Sequence, residues 1–281
     1  MKFGFFVYLQ CDPRRLANNA RVAEELGFES FWMGEHIGVP FKISSRLPDY
    51  EGDELPLDAN SKFPDPLLAL TYLAGQTNKI KLGTLVYVLP VRNPFAVAKA
   101  VATLDQYSNG RFLFGVGIGW LKEEFDWIGA PWENRALRTN EYIKLMTELW
   151  SSPNPVFTGR TVRTEGVNMA PKTVQQPRPP VIIAGTAPAA LRRAARVGDG
   201  WHGLVGDFER LAELLKQLHE AERAYARKTP LEISVNFPLT TRDDVKRLAD
   251  MGVSRVVTQA SLEGGTDDTP YMHRFHDQFM V

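Results

Sequence analysis

The feature that most constrains the fold is a regular alternation of short apolar runs with segments of helical spacing. Runs rich in Val, Ile and Phe predict eight strands, at residues 3–8, 28–34, 80–86, 111–116, 181–184, 200–204, 232–237 and 254–258. Helix-like sequence follows each run. Because neighbouring parallel strands need crossover connections, this order predicts a parallel sheet. Eight such units in 281 residues favour a closed (β/α)8 barrel, with an open doubly wound sheet as the alternative.

Length, charge and cysteine content exclude several classes of protein. We predict one domain over residues 1–281, with 33 basic side chains balanced by 33 acidic ones and therefore no polyanion-binding surface. Cys11 is the single cysteine, which excludes a disulfide framework and a thiolate metal cluster. No window approaches the roughly 20 apolar residues of a membrane span, and the apolar N-terminal stretch is too short for a signal peptide. We expect a cytoplasmic protein with a small-molecule substrate and with no nucleic-acid, membrane or metal partner.

Two stretches interrupt the alternation. Residues 38–62 lack periodicity and hold three prolines, and residues 151–180 hold six. Long irregular connections in compact domains are usually functional loops or disordered segments. The first stretch follows predicted strand 2 and the second precedes predicted strand 5. Because barrel active sites lie at the carboxyl ends of the strands, we expect the first stretch to lie over the site, or else to be a solvated loop.

Glu35 and His36, at the end of predicted strand 2, are the most informative candidate site residues. A histidine at that edge can hold or donate a proton near neutral pH, although a histidine at a strand end can also serve packing alone. The other histidines give weaker signals. His202, on predicted strand 6, can line the barrel interior, whereas His273 and His276 lack a third neighbouring ligand for a metal.

A glycine-rich stretch closes predicted strand 4, where residues 115–119 read Gly-Val-Gly-Ile-Gly. Its third glycine comes one residue too early for a dinucleotide-binding loop, and Arg135 stands where an acidic residue is needed. Glycines at a strand end allow a flat ring or a phosphate to approach the backbone, or else they serve barrel packing.

A second loop, Gly185-Thr186 ahead of a predicted helix, suits either an anion site or an ordinary helix cap. The sequence contains no nucleophile elbow, no Walker loop and no zinc-ligand spacing, which disfavours hydrolase functions.

A series of longer motifs is spread over about residues 1–205. They are residues 23–32 (AEELGFESFW) with Glu35-His36, residues 81–84 (KLGT), 93–94 (NP), 104–111 (LDQYSNGR) and 115–120 (GVGIGW), then Glu124-Phe125, Gly129, Arg135, Glu141, Pro179-Pro180 and residues 198–201 (GDGW). This set resembles the luciferase-like monooxygenase superfamily, and within it the oxidoreductases that depend on the deazaflavin coenzyme F420.

The resemblance implies a barrel that binds a flavin or deazaflavin at the carboxyl ends of its strands. In such proteins strand 3 carries a bulge with a non-proline cis peptide behind the ring. Here that bulge maps to Leu85-Val86, with Val88 beside the ring. The resemblance further implies that backbone and turn residues hold the ribityl chain and the phosphate, namely Gly119, Trp120, Gly185, Thr186, Ala187, Ala189 and Ala190.

The resemblance also implies a catalytic role for His36 and an anchoring role for Glu35 at the polar edge of the ring. The sugar-phosphate dehydrogenases of this branch carry a glutamate as second acid or base where this chain has Trp120. An indole cannot take a proton, so we expect Trp120 to form an apolar wall of the substrate pocket.

The resulting hypothesis is a coenzyme F420-dependent oxidoreductase that transfers a hydride between C5 of the deazaflavin and a small, apolar organic substrate. His36 is the predicted proton donor or acceptor. The alternative is an FMN-dependent monooxygenase that uses reduced flavin and O2 and receives electrons from a separate reductase. A carrier that binds the cofactor without turnover and a metal-dependent barrel hydrolase are further alternatives. A homodimer is compatible with the sequence.

Overall fold

A computed structural model describes residues 1–7, 9–46, 57–260 and 267–281 of the chain. The strands are β1 (Lys2–Val7), β2 (Ser30–Met33), β3 (Lys81–Thr84), β4 (Tyr87–Val88), β5 (Phe112–Gly117), β6 (Phe157–Thr158), β7 (Arg163–Thr164), β8 (Val181–Ala184), β9 (Gly200–Leu204), β10 (Glu232–Asn236) and β11 (Arg255–Gln259). The helices are α1 (Pro13–Glu25), α2 (Pro66–Ala74), α3 (Pro94–Tyr107), α4 (Lys122–Ile128), α5 (Arg135–Ser151), α6 (Pro188–Val197), α7 (Phe208–Ala224), α8 (Arg242–Asp250) and α9 (Thr269–Phe275).

The predicted closed barrel is confirmed. Parallel pairing runs from β1 through β2, β3, β5, β8, β9, β10 and β11, and the pairing of β11 with β1 closes the ring. The short strand β4 takes up the third strand position again and pairs with the carboxyl end of β5. Predicted strand 3 is therefore interrupted at Leu85 and Val86, and the end of predicted strand 1, at Tyr8, lies outside the described residues.

Helix boundaries follow the local signals in the sequence. The Asp12 carboxylate accepts hydrogen bonds from the backbone N–H groups of Arg14 and Arg15, so α1 begins where the capping residue predicts. Gly27, at φ +83°, ends the same helix in a conformation that favours glycine. Sequence periodicity did not predict α4 or the two-stranded ribbon of β6 and β7, because each of these elements is too short to show a period.

The core has two parts, because successive strand residues point to opposite faces of the barrel wall. Phe5 belongs to the large cluster that packs the helices against the strands. Its neighbour Phe6 belongs to a smaller cluster inside the barrel, together with Trp32, Leu113, Ile182 and Val257. The ring of Trp32 packs directly against the backbone of Gly83, where an added Cβ atom would lie 2.3 Å from it. The interior is thus filled by side chains.

The two irregular stretches differ in structure. The part of the first stretch before residue 47 binds α4. The Glu123 carboxylate accepts hydrogen bonds from the backbone N–H groups of Ser44 (2.7 Å) and Ser45 (3.2 Å). The second stretch contains the β6–β7 ribbon, which the Glu141 carboxylate holds through the N–H groups of Arg160 and Thr161. Ser44 and Ser45 of the first stretch therefore lie at the carboxyl-end face, as expected from their place after strand 2.

None of the helices in the described part of the chain combines the length and the apolar composition needed to cross a lipid bilayer.

Candidate active site

His36 lies just past the carboxyl end of β2 and faces a buried carboxylate. Its Nδ1 atom is 3.2 Å from Oε2 of Glu124, and the two side chains are 9% and 1% exposed. Both atoms are buried, but the geometry of this contact is not that of a hydrogen bond. The Glu124 carboxylate therefore lies directly behind the imidazole of His36, and both groups are largely shielded from water.

Helix α4 positions Glu124. Its second carboxylate oxygen, Oε1, accepts a hydrogen bond of 2.5 Å from the backbone N–H of Ile37, the residue after His36. The preceding residue, Glu123, holds the irregular stretch through Ser45, whose hydroxyl donates to the carboxylate at 2.6 Å. Two consecutive acidic residues of one short helix thus fix both the histidine and the loop beyond it.

Two aromatic rings flank the imidazole. The ring of Phe63 meets it edge-on at a centroid distance of 5.1 Å, and the indole of Trp120 meets it edge-on at 5.5 Å. Trp120 is half-buried and lies between β5 and α4, at the carboxyl-end face. Because Nδ1 is buried against Glu124, Nε2 is the ring nitrogen that can meet a ligand.

Glu35, although adjacent in sequence, has different neighbours. Its carboxylate accepts a hydrogen bond of 2.7 Å from the backbone N–H of Val88 and pairs with the guanidinium of Arg92. Burial raises the pKa of Glu35 to about 7, against the opposing effects of Arg92 and of the Val88 N–H. Arg92 also lies 5.2 Å from the ring centre of Tyr87, in β4. These contacts show Glu35 fixing the β4 segment from inside the protein.

The peptide bond between Leu85 and Val86 is cis, at the position that the family resemblance implied. The glycines of β5 lie against this interruption. A Cβ atom on Gly115 would lie 1.8 Å from the carbonyl oxygen of Thr84, and one on Gly117 would lie 2.5 Å from the Val86 side chain. At these two positions the structure supports the alternative of barrel packing, because the closest neighbours of an added Cβ atom are protein atoms of the third strand position.

Gly119 continues this pattern beyond β5. It has φ +77°, and a Cβ atom there would lie 2.8 Å from Val88 and 2.9 Å from Phe125. Glycine is thus required for the turn itself and for its packing against β4 and α4.

The turn after β8 leaves a helix N-terminus without a side-chain cap. Gly185 has φ +119°, and Ala187, the residue before α6, makes no side-chain hydrogen bond to the helix. Ala187 and Ala189 are exposed, whereas Thr186 and Ala190 are buried. Pro188 has no N–H, and the N–H groups of Ala190 and Leu191 donate to the carbonyl oxygen of Ala187, so this turn fits a phosphate mainly through the dipole of α6.

The predicted site residues thus fall at the carboxyl ends of consecutive barrel strand positions. His36 follows β2, Val88 ends β4, Trp120 follows β5 and Gly185 follows β8. Sequence reasoning gave no role to Arg92 or Glu124. Glu124 lies in a quoted motif, but only folding brings it to His36, because 88 positions separate the two in the chain. Within the described residues, no group of three or more His, Cys, Asp or Glu side chains is arranged to hold a metal ion.

Comparison with known proteins decides the family. The model of the family described as luciferase-like monooxygenase matches residues 1–266. The chain belongs to the luciferase-like monooxygenase family. An uncharacterized protein of Mycobacterium tuberculosis (strain H37Rv) is 29% identical over 274 residues, which cover 98% of this chain and 97% of that protein.

Relatives with described activities use different cofactors. The F420-dependent glucose-6-phosphate dehydrogenase of Amycolatopsis mediterranei is 33% identical over 196 residues, covering 68% of this chain and 54% of the enzyme. The FMNH2-dependent dimethylsulfone monooxygenase of Pseudomonas putida is 31% identical over 175 residues, covering 61% of this chain and 47% of the enzyme. Luciferase-like proteins related to this chain are thus oxidoreductases or monooxygenases.

Solved structures share the fold over the full length. The monooxygenase RslO1 of Streptomyces bottropensis superposes with a TM-score of 0.79 at 22% identity, covering 100% of this chain and 99% of that one. The coenzyme F420-dependent tetrahydromethanopterin reductase of Methanopyrus kandleri superposes with a TM-score of 0.79 at 17% identity, covering 99% and 98%.

Proposed function

We propose that this protein is a coenzyme F420-dependent oxidoreductase that transfers a hydride between C5 of the deazaflavin and a small organic substrate. The observation that carries the proposal is the shielded pair of His36 and Glu124 at the mouth of the barrel, next to Trp120. The relative from Amycolatopsis mediterranei, which is F420-dependent by name, supports the choice of cofactor.

In this proposal the cofactor lies across the strand ends from β2 to β8. Leu85, Val86 and Val88 support its ring, the Gly119-Trp120 backbone meets its ribityl chain, and the turn of Gly185, Thr186, Ala187, Ala189 and Ala190 holds its phosphate. The N-terminus of α6, which has no side-chain cap, fits that last assignment, because the helix dipole favours a negative charge there. When bound, a deazaflavin supplies or accepts the hydride at C5.

His36 moves the accompanying proton. In the oxidation of an alcohol, Nε2 of His36 takes the hydroxyl proton while the hydride leaves the carbon atom; in the reduction of a ketone, the same nitrogen returns the proton to the oxygen. Glu124 stabilises the protonated imidazole from the opposite side, where it lies 3.2 Å from Nδ1. Trp120 and Phe63 exclude water from the ring faces and edges of this group.

Glu35 has a supporting role in the proposal. Its carboxylate is already bound by the Val88 N–H and by Arg92, so it acts on the cofactor through the β4 backbone. This replaces the expected direct contact with the polar edge of the ring by an indirect one.

Titration of the pure protein with F420, followed by its absorbance and fluorescence, tests the cofactor. We expect binding in the micromolar range, and weaker binding of FMN in a parallel titration. A protein that is purified yellow, with flavin fluorescence, and that does not bind F420 rejects the proposal in favour of an FMN-dependent monooxygenase with a separate reductase. The cytoplasmic location and a homodimer stay predictions.

His36→Ala tests the proton role and separates an enzyme from a carrier. We expect the variant to keep its F420 affinity within about threefold and to lose turnover of alcohols with F420, or of ketones with reduced F420, by about 100-fold or more. His219→Ala, at an exposed position of α7, is the matched control and should change neither quantity. Equal turnover of the His36→Ala and His219→Ala proteins would remove His36 from the mechanism.

A further inference from the structure

A cavity of about 820 Å3 opens at the carboxyl ends of β9, β10 and β11, beside the proposed phosphate turn, whose Thr186 is also among its lining residues. Its volume suits a small organic molecule. Aromatic side chains form much of its wall, with Phe237 following β10 and with Tyr271 and Phe275 on α9. Asn236, the last residue of β10, contributes a neutral amide to the lining.

Asn236 is held by a chain of buried hydrogen bonds inside the barrel. Its Oδ1 atom is 2.8 Å from Nε2 of His202, and Nδ1 of His202 is 3.0 Å from the hydroxyl of Ser234. The amide nitrogen of Asn236 donates to the carbonyl oxygen of Val257 at 2.8 Å. His202 and Ser234 are both buried, on the paired strands β9 and β10.

These contacts fix the tautomer of His202. The Oδ1 atom of Asn236 can only accept a hydrogen bond, so Nε2 of His202 must carry the proton. Nδ1 is then unprotonated and accepts from the hydroxyl of Ser234, which lies nearer to it (3.0 Å) than to its other acceptor, the carbonyl oxygen of Trp201 (3.2 Å). The contact of Oδ1 with His202 and the contact of the amide nitrogen with Val257 together fix the orientation of the Asn236 amide. One N–H and one oxygen lone pair of this amide are left for a ligand in the cavity.

The charges around the cavity do not favour an anionic ligand. Among its described lining residues, the charged ones are Asp207 and Arg210, and both are exposed at the rim. The Asp207 carboxylate accepts from the backbone N–H of Arg210 at the start of α7, and the Arg210 guanidinium pairs with Glu213 at 2.8 Å. The deeper lining offers aromatic rings and neutral hydrogen-bonding groups, which match an uncharged ligand.

We propose that this cavity binds the part of the organic substrate that lies away from His36, as a neutral group with an apolar body and one carbonyl or hydroxyl oxygen, distinct from the reacting oxygen, bound by the amide of Asn236. His202 is the positioning residue that orients this amide. The proposal rests on the proposed oxidoreductase function for the identity of the ligand as substrate. It also distinguishes this chain from an enzyme that recognises a phosphorylated sugar.

Two probes with the same ring test the ligand class on the cofactor-free protein. Saturation-transfer NMR can compare cyclohexanone, which is neutral, with cyclohexyl phosphate, which is an anion. We expect millimolar binding of cyclohexanone and at least about tenfold weaker binding of the phosphate. Both probes are measured with excess inorganic phosphate, which occupies the proposed phosphate turn. No binding of cyclohexanone, or tighter binding of cyclohexyl phosphate under this condition, overturns the proposal. Because neither probe needs the cofactor, these outcomes are separate from a failure of the F420 titration.

Asn236→Leu tests the proposed contact. The change keeps the approximate size of the side chain and removes its hydrogen-bonding groups, so we expect cyclohexanone to bind about fivefold more weakly. Asn18→Leu, at an exposed position of α1, is the matched control and should bind as the unchanged protein does. Equal affinity in the Asn236→Leu protein overturns the assignment of Asn236.

His202→Gln and the double variant with Asn236→Leu test the positioning role. If His202 acts through Asn236, we expect the single His202→Gln substitution to weaken cyclohexanone binding about threefold. In the double variant it should add nothing to the loss caused by Asn236→Leu. Additive losses overturn the positioning role. Imidazole 15N NMR of the unchanged protein supplies a test that needs no variant: we expect a proton on Nε2 of His202 and none on Nδ1, and the reverse tautomer overturns the proposed orientation.

Discussion

Glu35 and His36 are neighbours in the chain, yet their surroundings give them different chemistry. The histidine meets the Glu124 carboxylate and two aromatic rings, whereas the Glu35 carboxylate is bound by a backbone N–H and a guanidinium. Consecutive residues past a strand end point in different directions, so one of them can face the mouth while the other packs behind it. Residue type alone therefore cannot distinguish a proton carrier from a positioning residue.

His202 leads to a prediction about pH. Burial lowers the pKa of His202 from its ordinary value of 6.5 to about 4. As pH falls below about 6.5, the unfolded chain gains a proton on this imidazole while the folded protein keeps it neutral down to about pH 4. The unfolded chain then binds more protons, so the free energy of unfolding falls between these values, by on the order of 3 kcal/mol from this group.

Urea unfolding of the unchanged protein and of His202→Gln, at about pH 7 and about pH 4.5, measures this contribution. The other titrating groups contribute to both proteins, so they cancel in the difference between the two. We expect the stability advantage of the unchanged protein to shrink, or to reverse, at the lower pH. A difference that stays constant with pH would contradict the neutral, buried imidazole.

At the scale of elements, the contact of β5 with the interrupted third strand position shapes one side of the mouth. The absent side chains of Gly115 and Gly117 let Thr84 and Val86 approach the β5 backbone. The Val88 N–H that follows is held by Glu35. The position of β4, and with it the wall beside His36, depends on this close packing of backbone against backbone.

Gly115→Ala is expected to destabilise the protein severely. Its Cβ atom would lie 1.8 Å from the carbonyl oxygen of Thr84, and a backbone atom cannot move aside as a flexible side chain can. We expect the free energy of unfolding to fall by about 3 kcal/mol or more.

The matched control is Gly206→Ala, where a Cβ atom would have no neighbour within 4 Å. It should change the free energy of unfolding by less than about 0.5 kcal/mol. Urea unfolding, or soluble yield where the variant does not fold, compares the two proteins. Equal stability of Gly115→Ala and Gly206→Ala would show that β3 and β5 are less tightly packed than the distances indicate.

Elements with a local sequence signal were predictable, and those without one were not. Strand β8 coincides with the strand predicted at residues 181–184, because a run of apolar residues is a local signal. Helix α4 has seven residues and no side-chain cap, so neither a period nor a cap marks it in the sequence. Because α4 supplies Glu123 and Glu124, the part of the site that it organises was missed as well.

At the scale of the whole molecule, the barrel closes between its first and last strands, and a buried charge lies near that junction. The guanidinium of Arg255, on β11, is fully buried and binds the carboxylates of Glu29 at 2.8 Å and Glu232 at 2.5 Å. Lys2 pairs with Glu232 at 2.7 Å, and Lys81 pairs with Glu29 at 2.9 Å. These ion pairs join residues from both ends of the chain at the amino ends of the strands, opposite the mouth.

Arg255→Met is expected to lower the free energy of unfolding by about 3 kcal/mol, because it leaves Glu29 and Glu232 partly buried without their shared partner. Burial raises the pKa of Glu29, and Arg255 lowers it. In the intact network the net result is a pKa of about 2. Arg192→Met, at an exposed position of α6, is the control and should have little effect. Chemical denaturation compares them; a stability unchanged by Arg255→Met would show that the network does not hold the ring closed.

The sequence by itself determined the strand–helix order, favoured the closed barrel over an open sheet, and placed His36, Trp120 and Gly185 at strand ends. Hydrophobic period, capping residues and glycines act over a few residues, so each can be recognised locally. The tertiary structure alone decided the partners: Glu124 beside His36, Arg92 on Glu35, and Ser234 and Asn236 at either end of His202. Those pairs depend on side-chain direction and burial across strands and helices that are distant in the chain, and no local pattern encodes either.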